Sequence, residues 1–227
     1  MMKNTHKPYG IYEKFFKRPL DFLIAFAVLI VISPVLLILT VVGAVVMGGN
    51  PFFTQERPGK NEKIFKLIKF RSMTNKKDEF GKLLPDKERL TPYGRLLRST
   101  SLDELPELLN ILKGDMAIVG PRPLAVLYLP YYTQSERHRH DVRPGLTGLA
   151  QVNGRNAISF EEKFVYDIQY ASKITLIGDI KIIFKTVKKV FIHEGIGQGE
   201  QMPVSLHIER EDWILTEQGA ERPEVKI

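Results

Sequence analysis

The sequence predicts an α+β fold: a small, mostly helical, membrane-associated domain with a short β-hairpin, preceded by a re-entrant membrane helix. Three observations lead there. No charged residue occurs between positions 22 and 49. Basic residues flank that run on both sides. Behind it, helical apolar spacing dominates and strand-like runs are few and short.

As one helix the 28 uncharged residues would measure roughly 42 Å, more than the ~30 Å hydrocarbon core requires. By hydropathy alone they read as one spanning helix. Ser33-Pro34 near the middle argues otherwise, because Pro34 offers no N–H to the Ile30 carbonyl and should kink or break the helix. Divided there, arms 22–33 and 35–48 span roughly 18 and 21 Å, each too short to cross. Lys3, Lys7, Lys14, Lys17 and Arg18 precede the run, and Arg57, Lys60, Lys63, Lys66, Lys69 and Arg71 follow it. A spanning helix normally carries its basic excess on one side. The pattern favours a hairpin with both ends on the cytoplasmic face, although kinked spanning helices exist. The run is too long for a cleavable signal peptide, and no small-residue cleavage site follows it.

Three regions follow: the membrane-associated segment 1–49, a cytosolic-face domain at 50–194 and an acidic tail at 195–227. The net charge of +7 divides into −4 on the tail and +11 on the remainder. Such a positive body attracts anionic lipid, nucleic acid or nucleotide-type substrates. The absence of cysteine excludes disulfides, thiolate catalysis and Cys-ligated metals.

Residues 51–55 and 64–70 read as a β-hairpin around Pro58-Gly59. Residues 75–92, polar and lysine-rich, form a surface loop with room for a helical turn, and 93–97 a short helix. A helix is expected over 101–112, with Leu102, Leu105, Leu109 and Leu112 on one stripe and Gly114 closing it. A short buried strand at 116–119 ends at Gly120-Pro121, and 124–139 looks helical. Residues 143–148 form a rigid turn, 150–152 a possible strand, and 159–171 a helix opened by the capping box Ser159/Glu162. In 179–191, Ile180, Ile183, Phe184, Val187 and Phe191 share one face, with lysines elsewhere. That face can lie on an anionic membrane or pack on the core. The tail looks loosely attached, with 204–208 able to pair as a strand.

Asp103 and Glu104 are the leading chemical candidates. Ser101-x-x-Glu104 can be a capping box, with acids meeting the helix dipole. A carboxylate oriented and ionised there can equally attack phosphorus, and a divalent ion would then let two anions approach. Lys69, Arg71, Arg98, Arg122, Arg143 and Arg155 lie beside Gly, Pro, Ser or turn residues, where basic groups suit phosphate clamping. His138 and His140 have no matching acidic ligand set, so no metal site is expected there.

Four segments, Lys69-Phe70-Arg71-Ser72-Met73, Leu97-Arg98 through Ser101-Leu102-Asp103-Glu104-Leu105-Pro106-Glu107, Val119-Gly120-Pro121-Arg122-Pro123 and Arg143-Pro144-Gly145-Leu146-Thr147-Gly148, together resemble the bacterial sugar transferases, the small monotopic phosphoglycosyl transferases. The resemblance covers about residues 12–192. It implies transfer of a sugar-1-phosphate from a UDP-sugar to polyprenyl (undecaprenyl) phosphate, with release of UMP, as the first membrane step of surface glycan assembly. It implies Asp103 as nucleophile in an aspartyl-phosphosugar intermediate, Glu104 as its dyad partner, and Mg²⁺ bridging the dyad, through Asp103, and the diphosphate. Lys69, Arg71, Arg98, Arg122, Arg143 and Arg155 are the expected substrate contacts, with Pro121 and Pro123 shaping the loop. The implied setting is the cytoplasmic face of a bacterial inner membrane, with the helix re-entrant at Ser33-Pro34.

Two other readings remain. A plain glycosyl transferase would release UDP, and a membrane-tethered basic scaffold would bind lipid without turnover. Nothing resembles a helix-turn-helix, an RNA-binding sheet or a zinc finger, so nucleic acid is not an expected partner. The sugar, the glycan pathway and the oligomeric state leave no signature in the sequence.

Overall fold

The computed structural model describes residues 6–154, 158–192 and 205–223. A π-helical turn, Tyr12–Phe16, leads into α1 (Lys17–Met47), then β1 (Phe52–Pro58) and β2 (Ile64–Phe70). Next come α2 (Asp86–Arg89), α3 (Pro92–Ser99), α4 (Glu107–Lys113), β3 (Ala117–Val119) and β4 (Gly145–Thr147). The series ends with α5 (Leu149–Asn153), α6 (Phe160–Ser172), α7 (Leu176–Ile192), α8 (Leu206–Glu209) and the hairpin β5 (Ile214–Thr216) and β6 (Gly219–Glu221). Among the described residues, 3₁₀ turns at Lys60–Glu62, Leu102–Glu104, Val126–Tyr131 and Glu136–His140 complete the mixed α+β architecture.

α1 is continuous through Ser33-Pro34, so the expected break in the helix is absent. Pro34 cannot donate to the Ile30 carbonyl, but the Ser33 hydroxyl does so at 2.8 Å. The helix ends at Gly48 in the left-handed region (φ 64°), as a C-terminal glycine permits. Most of its apolar side chains are exposed, Val31 and Val45 at 77% each. One stripe faces the body: Ala25, Leu29 and Ile32 pack with Phe65, Leu67, Leu108, Ile111 and Met116. Further along, the Tyr93 hydroxyl donates to the Leu39 carbonyl at 2.8 Å, and Gly43 lies against Tyr93 and Pro51. Both halves of α1 therefore rest on the same folded body.

The hairpin matches expectation, antiparallel from Phe52↔Phe70 to Pro58↔Ile64. β2 is held on its other side by α4. Fully buried Asn110 donates Nδ2 to the Lys66 carbonyl (2.8 Å) and accepts the Ile68 N–H at Oδ1 (3.0 Å). An unpaired strand edge is thus satisfied by one side chain, which ties the strand carrying Lys69 to the helix that starts at Glu107. β3 and β4 pair in parallel, with backbones so close that a Cβ on Gly120 would lie 2.4 Å from the Arg143 carbonyl oxygen. Only glycine fits there, and the crossing launches the Pro121–Pro123 loop.

Several expected elements differ. The helix expected over 101–112 begins at Glu107, because Pro106 lacks the N–H that an interior position needs. Ser101 adopts φ 57° and makes no capping bond, so the capping box at Ser101/Glu104 is absent and both acids lie in a 3₁₀ turn. The inward stripe is Leu108 and Ile111, while Leu109 is exposed. Residues 124–139 form two 3₁₀ turns, the first containing Pro130. Residues 150–152 belong to α5, where Ala150 and Val152 are both buried because the short helix touches α6 and α7. The capping box at Ser159/Glu162 is present. On α7, Ile182 is buried in the core and Ile183 packs against it, whereas Ile180, Phe184 and Val187 are exposed, so most of the expected stripe is turned away from the core; the Phe191 side chain lies outside the described residues. The described part of the tail, 205–223, is docked rather than loose, and the expected strand over 204–208 is replaced, in its described part, by α8.

Candidate active site

Five pieces of chain converge on the acidic pair: the end of β2, the end of α3, the 3₁₀ turn, the start of α4 and the Pro121–Pro123 loop. Lys69 Nζ lies 2.8 Å from Glu104 Oε1 and 3.1 Å from Glu107 Oε1. Arg122 Nη2 donates to the same Glu104 oxygen at 2.6 Å. Pro121 and Pro123 are buried on either side of Arg122, so two fixed φ angles hold the backbone from which its guanidinium reaches Glu104. Arg98 Nε bonds Ser72 Oγ at 2.9 Å and adds positive charge beside Asp103.

The two acids have different environments. Burial works against charge on Glu104, but Arg122 and Lys69 outweigh it and hold the carboxyl well below the usual range. Glu104 in turn raises Arg122. Asp103 makes no hydrogen bond or ion pair among the described residues. Burial and the adjacent Glu104 raise its pKa, with Lys69, Arg98 and Arg122 opposing. One acid is thus clamped and ionised, while its neighbour has no partner among the described residues and is made more basic by desolvation, which favours attack by a carboxylate oxygen once it is ionised.

Among the other predicted contacts, Arg71 is tied to the hairpin base, where Nη2 donates to the Phe52 carbonyl at 3.4 Å. Arg143 Nε donates to the Gly114 carbonyl at 2.9 Å, at the far end of α4. Neither bonds Asp103 or Glu104, and Arg155 lies outside the described residues. Two groups join the site unpredicted. Glu107, 3% exposed, reads in sequence as an ordinary acid of a first helical turn, because Lys69 is distant along the chain. Arg57, lowered by burial and then by Arg122, also feels the charge of Glu107; its position on a hairpin strand gave no signal.

Glu107 makes the site pH-sensitive. Burial raises its pKa from 4.5 to about 7, Lys69 opposing and Glu104 reinforcing. Above its ordinary value the unfolded chain releases the proton that the folded protein still holds. Its contribution to stability is therefore fully present below pH 4.5 and is lost as pH rises through about 7. Glu104 acts oppositely, but only at pH below the usual carboxylate range. Glu107→Gln is expected to flatten the melting temperature between pH 5 and 7.5, recovering up to about 3 kcal/mol at the alkaline end. Thermal scans of both proteins across that interval check it; parallel profiles would contradict it.

Among the described residues, no three acidic or histidine side chains gather as a protein-only metal cage. Mg²⁺ does not need one, since it is commonly held by one or two carboxylates, waters and substrate phosphates. The Asp103 carboxylate, without a partner among the described residues, fits that mode.

The family model described as bacterial sugar transferase matches residues 12–193. The chain is 50% identical over 182 residues to the uncharacterized sugar transferase EpsL of Bacillus subtilis (strain 168), covering 80% of this chain and 90% of that protein. It is 40% identical over 198 residues to the exopolysaccharide production protein ExoY of Sinorhizobium fredii, covering 79% and 87%. It is 41% identical to the UDP-glucose:undecaprenyl-phosphate glucose-1-phosphate transferase of Klebsiella pneumoniae, over 79% of this chain but 41% of that protein. With the site and these matches together, the chain belongs to the bacterial sugar transferase family and is a transferase.

Proposed function

We propose that the protein moves a sugar-1-phosphate from a UDP-sugar to polyprenyl phosphate at a membrane surface, in exopolysaccharide or capsule assembly. The observation that carries this reading is the asymmetry of the acids: an Asp103 carboxylate without a partner among the described residues, next to a Glu104 clamped by Lys69 and Arg122. Asp103 Oδ attacks the β-phosphorus, the bond from that phosphorus to the bridging oxygen breaks, and UMP leaves with that oxygen. A phosphate oxygen of the lipid then attacks the same phosphorus and the bond to Asp103 breaks. The carboxylate is restored with no net proton change on the protein. Lys69, Arg98 and Arg122 offset the charge of the diphosphate and of the phosphoryl group in flight. Mg²⁺, held by Asp103 and phosphate oxygens, would neutralise the diphosphate so that an anionic nucleophile can approach.

The docking of both halves of α1 on one body supports a re-entrant rather than a spanning helix, with both ends on the cytoplasmic face. The exposed stripe Ile177, Ile180, Phe184 and Val187 of α7, interleaved with Lys181, Lys185 and Lys188, suits an anionic bilayer surface.

Detergent-solubilised protein given undecaprenyl phosphate, Mg²⁺ and a panel of UDP-sugars is expected to release UMP, with none after chelation. UDP release would indicate plain glycosyl transfer, and no nucleotide release would favour the tethered scaffold. For topology, the cysteine-free chain accepts Lys7→Cys or Asn50→Cys as single probes. An impermeant maleimide is expected to label both from the cytoplasmic side only, and labelling from opposite sides would exclude re-entry.

A further inference from the structure

Residues 205–223 lie beyond the family match, which ends at residue 193, yet they are built into the fold. Leu206 is fully buried among Tyr132, Phe160 and Phe164. Arg210, 1% exposed, grips Glu136 with both terminal nitrogens, at 2.6 and 2.8 Å, and donates to the Tyr131 carbonyl at 2.7 Å. Its guanidinium stacks 4.1 Å from the Trp213 ring centroid. On the hairpin, Ala220 N–H donates to the Tyr132 carbonyl at 2.8 Å. The tail thus holds segment 131–136 by side chain and backbone together.

That segment runs directly into Arg139, which is 2% exposed. Arg139 bonds Asp167 through Nε (3.0 Å) and Nη2 (2.7 Å), takes the Tyr132 hydroxyl as partner of Nη1 (3.2 Å), and donates Nη2 to the Arg122 carbonyl at 2.7 Å. The backbone of Arg122 is held by Arg139 while its side chain reaches Glu104. Tyr132 links the two grips, since its carbonyl meets the tail and its hydroxyl meets Arg139. Buried arginines cannot shed their charge, so each network persists only while its carboxylate partner stays in place.

We propose that the C-terminal segment 205–223 positions the catalytic loop: Arg210, acting through the Glu136–His140 turn and Arg139, fixes the Arg122 backbone so that its guanidinium is aimed at Glu104 and the transferred phosphate. Arg210 and Arg139 are positioning residues, and the catalytic half of this proposal rests on the phosphosugar-transfer reading. The role belongs to the buried Arg210 and to the hairpin backbone.

The test is a double-mutant cycle on the full chain, reading kcat and KM for UMP release. Arg210→Met is expected to lower kcat about 10-fold in the wild-type background but less than about 2-fold in an Arg122→Ala background, since coupled residues are non-additive. Equal losses in both backgrounds, or an unchanged kcat, would overturn the proposal. Arg210→Lys, which keeps the charge and loses the two-pronged grip, serves if the Met variant does not fold and is expected to show the same coupling with a smaller loss. Hydrogen exchange of the peptide spanning 119–125 reads the positioning without turnover. It is expected to quicken at least about 3-fold in Arg210→Lys while peptides of β1 and β2 stay unchanged. Unchanged exchange at 119–125 would sink the proposal even if no UDP-sugar proved to be a substrate, whereas quickened exchange without UMP release would put the failure on the phosphosugar-transfer reading.

Discussion

Asp103→Asn is expected to abolish UMP release, by at least about 10³-fold, while leaving the fold intact. The amide is isosteric with the carboxylate but cannot bond covalently to phosphorus, so the first displacement has no nucleophile. The fold should tolerate the change because Asp103 makes no hydrogen bond or ion pair among the described residues. Replacing a charge that burial and Glu104 already disfavour is expected to leave the melting temperature equal or slightly higher. Both readouts matter. A full loss of turnover with unchanged stability places the effect on chemistry, whereas retained turnover would transfer the nucleophile role elsewhere. The same environment sets the acid limb of the rate profile. Because the Asp103 pKa is raised, activity should begin to fall, as pH decreases, above the range of an ordinary aspartate.

Arg122→Ala is expected to lower kcat about 10²- to 10³-fold with a lesser change in KM, the signature of a charge that matters most in the transition state. Glu104 would keep Lys69 as a partner, so no buried carboxylate is abandoned and the protein should fold. Arg122→Lys is expected to recover only part of the rate, because a point charge cannot reproduce a planar fork at a phosphate. A proportional rise in KM with unchanged kcat would instead make Arg122 a ground-state binding residue. Steady-state kinetics of the three proteins distinguish the cases.

The chain announced its hairpin, the 159–171 helix and the short strand at 116–119 because each rests on local chemistry: a Pro-Gly turn, a Ser/Glu cap, a glycine stop. It misled at 101–112, where Ser101-x-x-Glu104 has the composition of a capping box but Pro106 moves the helix start to Glu107. At Ser33-Pro34 it pointed to a kink or a break, and the helix runs on unbroken, the Ser33 hydroxyl beside the proline supplying a donor to the Ile30 carbonyl. The α7 stripe was legible as amphipathic, yet periodicity cannot say whether an apolar face meets core or lipid. Only the folded chain shows Ile182 buried and Ile180, Phe184 and Val187 exposed.

Of the site, Asp103, Glu104, Lys69, Arg98, Arg122 and the two prolines were legible as residue types on rigid turns. What the sequence by itself determined is therefore the chemical inventory and the family it resembles. Tertiary structure alone decided which acid is clamped and which has no partner among the described residues, that Glu107 shares Lys69, that Arg71 and Arg143 bond elsewhere, and that residues 205–223 are fixed to segment 131–136. The physical reason is range. Turns, caps and periodicities act over a few residues, whereas the ion pairs that set these roles join groups far apart in sequence. Their strength depends on a burial that exists only once the chain has closed around them.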